Sequence, residues 1–368
     1  MSKLIELEKS GQSVWFDYIR RSLITSGELQ ALIDKGVRGI TSNPAIFEKA
    51  IAGSNDYDEA IKTLVKTEKS IHDIYESLAI EDISMAADLL RSIYDSTNGK
   101  DGYVSFEVNP HLADETQKTI AEATRLFETL NRPNVMIKVP ATPAGIPAIS
   151  ALIGAGVNVN VTLIFGLENY KAVADAYLAG LEKLLSAGPS VKGGHPVNRV
   201  ASVASFFVSR VDSAVDKALA AVNAKALQGK IAIANSKIAY AEFKNIFSGP
   251  RWEQLQNKGA RVQRVLWAST SAKNPDYPDT LYVDELIGPD TVNTLPPATL
   301  DSFIDHGRVA ETLTRGVAEA RQQIAKLAEL GLDLNAITQQ LQQEGVVAFA
   351  KPFDALMQSI AAKTERLR

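Results

Sequence analysis

Lys138 stands in the run NVMIKVPAT (134–142), where Val135, Met136, Ile137, Val139 and Pro140 have the pattern of a fully buried strand. An ammonium group in such surroundings is costly unless it is paired or loses its proton. A lysine that loses its proton is a nucleophile near neutral pH. The competing reading is a lysine at a strand end that snorkels to water. Other polar residues stand where apolar runs give out: Asp17, Asn43, Glu107, Asn160, Thr162, Ser205 and Ser269. Together these types suit one chemistry. A neutral amine attacks a ketone and forms a Schiff base, which serves as an electron sink for breaking the adjacent C–C bond. Carboxylates move protons to and from water and hydroxyls. Amides and hydroxyls hold a polyhydroxylated chain in line. None of these steps requires a metal or an organic cofactor, and none is expected.

Such residues can act together only if the fold gathers them. Seven short runs have strand character, at 13–19, 38–44, 102–108, 134–142, 156–165, 200–208 and 262–270, with a weaker eighth at 290–296. Between them lie helical patterns such as 113–132, where Ile120, Ala123, Leu126 and Leu130 share a face, and 168–188. From about residue 301 the chain is almost entirely helical in pattern. Alternating strands and helices indicate parallel βαβ units. Seven or eight such units without a GxGxxG fingerprint favour a closed (β/α)₈ barrel, whose C-terminal strand ends converge on one mouth. The chain exceeds a barrel of roughly 250 residues. Extra helices at about 47–98 and a helical tail from about 298 are therefore expected on a single domain spanning 1–368.

Composition narrows the function classes. The chain has 368 residues, of which 45% are hydrophobic and 22% charged, with a net charge of −4. It has no long basic run, so a nucleic-acid partner is not expected. There is no cysteine, which removes disulfides, thiolate metal sites and a cysteine nucleophile. The four histidines, His72, His111, His195 and His306, form no HExxH-type pair. The opening MSKLIELEKSGQ lacks the apolar core of a signal peptide, and no apolar run is long enough for a membrane helix. A cytoplasmic protein without a membrane partner is expected, as a monomer or homodimer. Trp15, Trp252 and Trp267 read as packing residues, and KGGHPVN (192–198) as a surface turn.

The motifs TSNPAIF, VSFEV, VMIKVPAT, NVNVTLIF, FFVSRVD and LWASTSAKN, in this order, resemble the transaldolase family. TLYVDELIGPDTVNTLP looks like its long-chain bacterial and plant-type branch. The resemblance implies a class I aldolase barrel that moves a dihydroxyacetone unit from a ketose phosphate to an aldose phosphate. It implies Lys138 as the Schiff-base lysine, Glu107 acting through a water that Thr162 helps to hold, and Asp17 as acid and base at the hydroxyl beside the breaking bond. Asn43, Asn160 and Ser205 would bind the dihydroxyacetone hydroxyls. Arg210 would bind the phosphate, with Ser269 and Lys273 completing that site. The chain departs from the family in two places. ASTSAKN offers a lysine after a longer gap where better-known branches have an arginine soon after the serine, and Asn109 follows Glu107 where an aspartate is common.

Three rival readings remain at this stage. A fructose 6-phosphate aldolase would use the same lysine and release free dihydroxyacetone. A pyridoxal-phosphate enzyme would also need a lysine. A non-catalytic barrel scaffold would need none of the polar strand ends.

Overall fold

The computed structural model describes residues 2–67 and 69–367. Eight parallel strands pair in chain order and close on themselves. They are β1 (Gln12–Phe16), β2 (Val37–Ile40), β3 (Tyr103–Glu107), β4 (Val135–Pro140), β5 (Val159–Ile164), β6 (Ser202–Phe207), β7 (Arg264–Ala268) and β8 (Thr291–Leu295). Each strand falls within one of the runs expected from sequence or overlaps it, the weak eighth included. The (β/α)₈ barrel expected from the alternation is the architecture found. Every residue of β4 and β5 is buried, as their near-continuous apolar character requires between a filled interior and a ring of helices.

Register determines which side chains share the interior. Glu107 lies opposite Lys138, and Lys138 opposite Asn160, so three polar residues form one row across the last residue of β3, the middle of β4 and the second residue of β5. Lower down, Trp15 of β1 lies opposite Gly39 of β2. A Cβ at Gly39 would come within 2.7 Å of the Trp15 indole, so the glycine makes room for the ring. In β5 the register slips between Val161 and Ile164, and Leu163 takes a φ of 63°. Such a bulge re-aims neighbouring side chains, here Thr162.

The helices follow the expected pattern. The runs at 113–132 and 168–188 contain helices Thr116–Leu130 and Leu167–Ala187. Asn131, in a left-handed conformation, ends the first, and Gly188 at φ 74° follows the second. Within 47–98, helix Ile71–Leu89 opens with a Ser70–Asp73 capping box and makes the ordinary crossover from β2 to β3. Among the described residues, Pro44–Ala52, Asp58–Val65 and the short Arg91–Ser96 are the additional helices there.

The tail contains Pro297–His306, Val317–Glu329 and Leu334–Leu367, with an irregular stretch at 307–316. The last of these, a helix of 34 residues, packs against Pro44–Ala52, Asp58–Val65, Ile71–Leu89 and Ser209–Ala221. Its buried stripe runs through Gly345, Phe349, Phe353, Leu356 and Ile360 at helical spacing. The helical tail expected from about 298 is thus found, and its last helix lies across the barrel mouth, where the Gln342 amide meets the carbonyls of Ala141 (2.8 Å) and Leu163 (3.1 Å), just past β4 and within the β5 bulge. Among the described residues no helix is long and apolar enough to cross a membrane. Nor do any three His, Asp or Glu residues among them cluster as a metal site would.

Candidate active site

Lys138 is 6% exposed, so it does not snorkel to water. Its Nζ donates to the Ser42 carbonyl at 3.3 Å and lies 3.7 Å from Glu107 Oε2. The second distance is an ion-pair contact but too long for a hydrogen bond. Glu107 Oε2 is buried without a hydrogen-bond partner in the protein, and so is Thr162 Oγ1. Burial pushes the Glu107 carboxyl up from 4.5 to about 7, although the nearby Lys138 pulls it down. A carboxyl balanced near neutrality can both give and accept a proton under ordinary conditions.

Asp17 follows the last residue of β1, and its backbone N–H still bonds to Leu295 of β8 at 2.8 Å. Thr41 Oγ1 donates to Asp17 Oδ1 at 2.7 Å and lies 2.5 Å from Thr294 Oγ1. Since the Thr41 proton goes to the carboxylate, Thr294 supplies the proton of the second contact. Burial raises the Asp17 carboxyl above its ordinary value, while Lys138, the Thr41 bond and Lys273 lower it. Asp17 and Glu107 are therefore both within electrostatic reach of Lys138.

The amides and hydroxyls are tied to one another. Asn160 Nδ2 donates to Ser105 Oγ at 2.9 Å, and Ser205 Oγ donates to Asn160 Oδ1 at 2.7 Å. This fixes the Asn160 side chain before any substrate arrives. Asn43 caps helix Pro44–Ala52, where its Oδ1 accepts from the Ile46 N–H at 3.0 Å and proline follows at the first helical position. Only its amide NH₂ is left to reach a substrate hydroxyl.

A cationic corner lies beside this layer. Arg210 is the second residue of helix Ser209–Ala221, which starts two residues past β6. Its guanidinium stacks 5.3 Å from the Phe207 ring centre and 5.9 Å from that of Phe349. No carboxylate among the described residues pairs with it. Ser269, at φ 57°, shares a 2.9 Å hydrogen bond with Ser209 at the start of that helix. Lys273 Nζ donates to Ser271 Oγ at 2.6 Å. Burial and the Arg210 charge lower its pKa, and Asp17 opposes them, so this lysine is within electrostatic reach of the same mouth.

Of the ten residues singled out from sequence, Glu107 ends β3, Asp17, Asn43, Arg210, Ser269 and Lys273 lie in segments that follow strands, and Lys138, Asn160, Thr162 and Ser205 lie within β4, β5 and β6. Sequence analysis missed Thr41, Ser42, Ser105, Thr294, Phe207 and Phe349. Ser105 was open to detection, because it precedes Glu107 by two residues and shares its face. Thr41, two residues before Asn43 and two after Gly39, was open in the same way. Nothing in the sequence ties Phe349 to Lys138, more than 200 residues away.

The chain matches the family model described as transaldolase/fructose-6-phosphate aldolase over residues 14–360. The chain belongs to this family. It is 47% identical to Transaldolase 2 of Nostoc sp. (strain PCC 7120), in an alignment spanning 100% of this chain and 99% of that relative. It is 46% identical to the transaldolase of Trichodesmium erythraeum over 99% of this chain and 98% of that one. With Transaldolase 1 of Streptomyces avermitilis the identity is 47%, over 98% of this chain and 95% of the relative. Membership in the transaldolase/fructose-6-phosphate aldolase family agrees with the motif resemblance and with the barrel.

Proposed function

We propose that the protein is a transaldolase of the non-oxidative pentose phosphate pathway. The observation that carries this reading is the buried Lys138 held 3.7 Å from a carboxyl balanced near neutrality. Lys138 Nζ attacks the keto carbon of fructose 6-phosphate or sedoheptulose 7-phosphate. Glu107 passes the proton with which water leaves the carbinolamine, and Thr162 orients that water. Two unpartnered buried oxygens on β3 and β5, the strands that flank β4, suit this task. Asp17 then takes the proton of the hydroxyl beside the C–C bond, and an aldose phosphate departs. The enamine left on Lys138 attacks the aldehyde of the acceptor, glyceraldehyde 3-phosphate or erythrose 4-phosphate. The same steps in reverse order release the new ketose.

Asn43, Asn160 and Ser205 bind the dihydroxyacetone hydroxyls, and Arg210, Ser269 and Lys273 bind the phosphate. The guanidinium fork and the helix start beside Ser209 both favour an anion. The extra helices and the tail belong to one working domain, because the mouth is roofed by the C-terminal helix. The test is borohydride reduction in the presence of fructose 6-phosphate, followed by peptide mapping. The added mass is expected on the peptide carrying VMIKVPAT, and Lys138→Ala should remain folded while transfer falls by at least about 10⁴-fold. Mass on another lysine would remove the basis of the reading.

A further inference from the structure

One aromatic ring spans the two ends of the candidate site. The Phe349 ring centre lies 5.6 Å from Lys138 Nζ and 5.9 Å from the Arg210 guanidinium. In a substrate bound at both residues, the carbons between keto group and phosphate would lie against this ring. Phe349 is itself buried, so the ring closes the mouth above Lys138.

The helix that carries Phe349 is fastened on both sides of it. Two turns before, the Gln342 amide reaches Ala141 O, Leu163 O and, at 3.0 Å, Asn169 Oδ1. One turn before, Gly345 passes close enough to Leu163 that a Cβ there would come within 3.0 Å of its methyl. One turn after, Phe353 packs edge-on to Tyr75 at 5.7 Å, and Asp354 bonds His111 at 2.7 Å. Further on, Lys363 holds Asp58 at 2.9 Å. Pro352 cannot donate to Ala348, which leaves one backbone bond of the helix unmade beside Phe349. Outside this turn a groove of about 720 Å³ between the C-terminal helix and Ser209–Ala221 reaches Arg210 past Gly345 and Ala348. Between that open groove and Lys138, the Phe349 ring is a barrier.

We propose that Phe349 determines the partition of the Lys138 intermediate between transfer and hydrolysis by keeping water from it; this rests on the transaldolase reading. After C–C cleavage Lys138 carries a dihydroxyacetone enamine. If an aldehyde acceptor is attacked, a new C–C bond forms and the aldehyde oxygen takes a proton. If a proton reaches the enamine carbon instead, an iminium forms. One water then adds to it, free dihydroxyacetone leaves, and Lys138 regains its amine. The second route consumes a water and needs solvent to supply the proton. An apolar ring over the nitrogen hinders both, whereas an acceptor that displaces water from the site meets no such penalty. Phe349 is thus a specificity-determining residue that does no proton chemistry itself.

The experiment follows fructose 6-phosphate with glyceraldehyde 3-phosphate as acceptor, and measures transferred product against free dihydroxyacetone. It uses the full-length protein, Phe349→Ala and Phe349→Leu. Phe349→Ala should still give the borohydride adduct on Lys138, while the ratio of released to transferred dihydroxyacetone rises at least tenfold. Phe349→Leu, which restores apolar bulk, should bring the ratio most of the way back. A ratio unchanged in both variants, with only the overall rate reduced, would overturn the proposal and make Phe349 a packing residue. Should the alanine variant not fold, the leucine and Phe349→Val variants decide, with the ratio expected to rise as the side chain shrinks. Failure of the underlying reading looks different: the parent protein would give no Lys138 adduct, or would release dihydroxyacetone as fast with acceptor as without.

Discussion

The barrel holds two buried charge pairs, one at each end, and they are built differently. At the base, Arg264 of β7 meets Asp101 at 2.9 Å, and both side chains are under a tenth exposed. Both carboxylate oxygens of Asp101 are occupied. The guanidinium also donates to Ser13 Oγ (2.8 Å) and the Lys100 carbonyl (2.8 Å). Asp101 in turn accepts from Ser13 Oγ (2.5 Å) and Trp15 Nε1 (3.0 Å). At the mouth, Lys138 and Glu107 stand 3.7 Å apart, and one carboxylate oxygen has no hydrogen-bond partner in the protein. The base satisfies its buried charges and so fixes the barrel's closure. The mouth leaves capacity unused, which costs stability and leaves groups available for a reaction. Conservatively altered, the two pairs should therefore fail in different currencies.

The largest expected effects are on rate. On the proposed assignment of Glu107 to water loss, Glu107→Gln should slow imine formation by about 10²–10⁴-fold, so that trapping is slow even with excess ketose. Asp17→Asn should form the imine with the ketose but cleave it slowly, by a similar factor. Mass spectrometry after reduction should then find the whole-ketose adduct. A dihydroxyacetone adduct formed at the parent's rate in Asp17→Asn would mean that Asp17 does not serve C–C cleavage. If the mouth differs from the base as described, neither variant should lower the thermal midpoint appreciably.

At the base the prediction is reversed. Asp101→Ala leaves Arg264 buried and unpaired and should cost about 3–5 kcal/mol of stability. At a temperature where the variant is folded, its kcat/KM should stay within a few-fold of the parent. A large loss of activity in folded Asp101→Ala would break the division of labour between the two ends. Arg264→Met, which removes the positive charge, should not recover the loss unless Asp101 is also made apolar.

The smallest effect concerns pH. With Glu107 near 7 in the folded chain and 4.5 as its ordinary value, the folded state holds this proton more tightly. The stability that comes from binding the neutral acid is fully present below pH 4.5 and is lost as pH rises through about 7. Complete loss amounts to about 3 kcal/mol. Denaturant unfolding of the parent and of Glu107→Gln at pH 5 and pH 8 checks this. The glutamine variant should gain on the parent by on the order of 1–3 kcal/mol between the two, and packing changes that do not depend on pH cancel. An equal difference at both pH values would mean that Glu107 is ionised as easily in the fold as in water.

Much of this was open to a reader of the sequence, for physical reasons that can be named. Strands buried on both faces are short and apolar, so their runs are recognisable, and a lysine inside one of them stands out. Period-two alternation then put Lys138 on the face of Met136 and Pro140, which the register with Glu107 and Asn160 makes the interior. The positions of Asp17, Asn43, Glu107 and Ser269 at or just past strand ends followed from where apolar runs stop, whereas Asn160, Thr162 and Ser205 stand out as polar residues inside β5 and β6. Arg210 and Lys273 carried no such local mark and entered through resemblance alone.

What the chain determined by itself is therefore the set of elements, their order and the chemical types at their ends, because these depend on neighbours a few residues away. The tertiary structure alone decided how far apart the charges stand, and which of them are satisfied. A 3.7 Å gap at the mouth and a 2.9 Å contact at the base look alike in sequence, since each joins residues from separate strands or loops. It alone also brought the helix Leu334–Leu367 over Lys138. A buried stripe in a helix says that something is covered, but not what, and only packing against the completed barrel set Phe349 above Lys138.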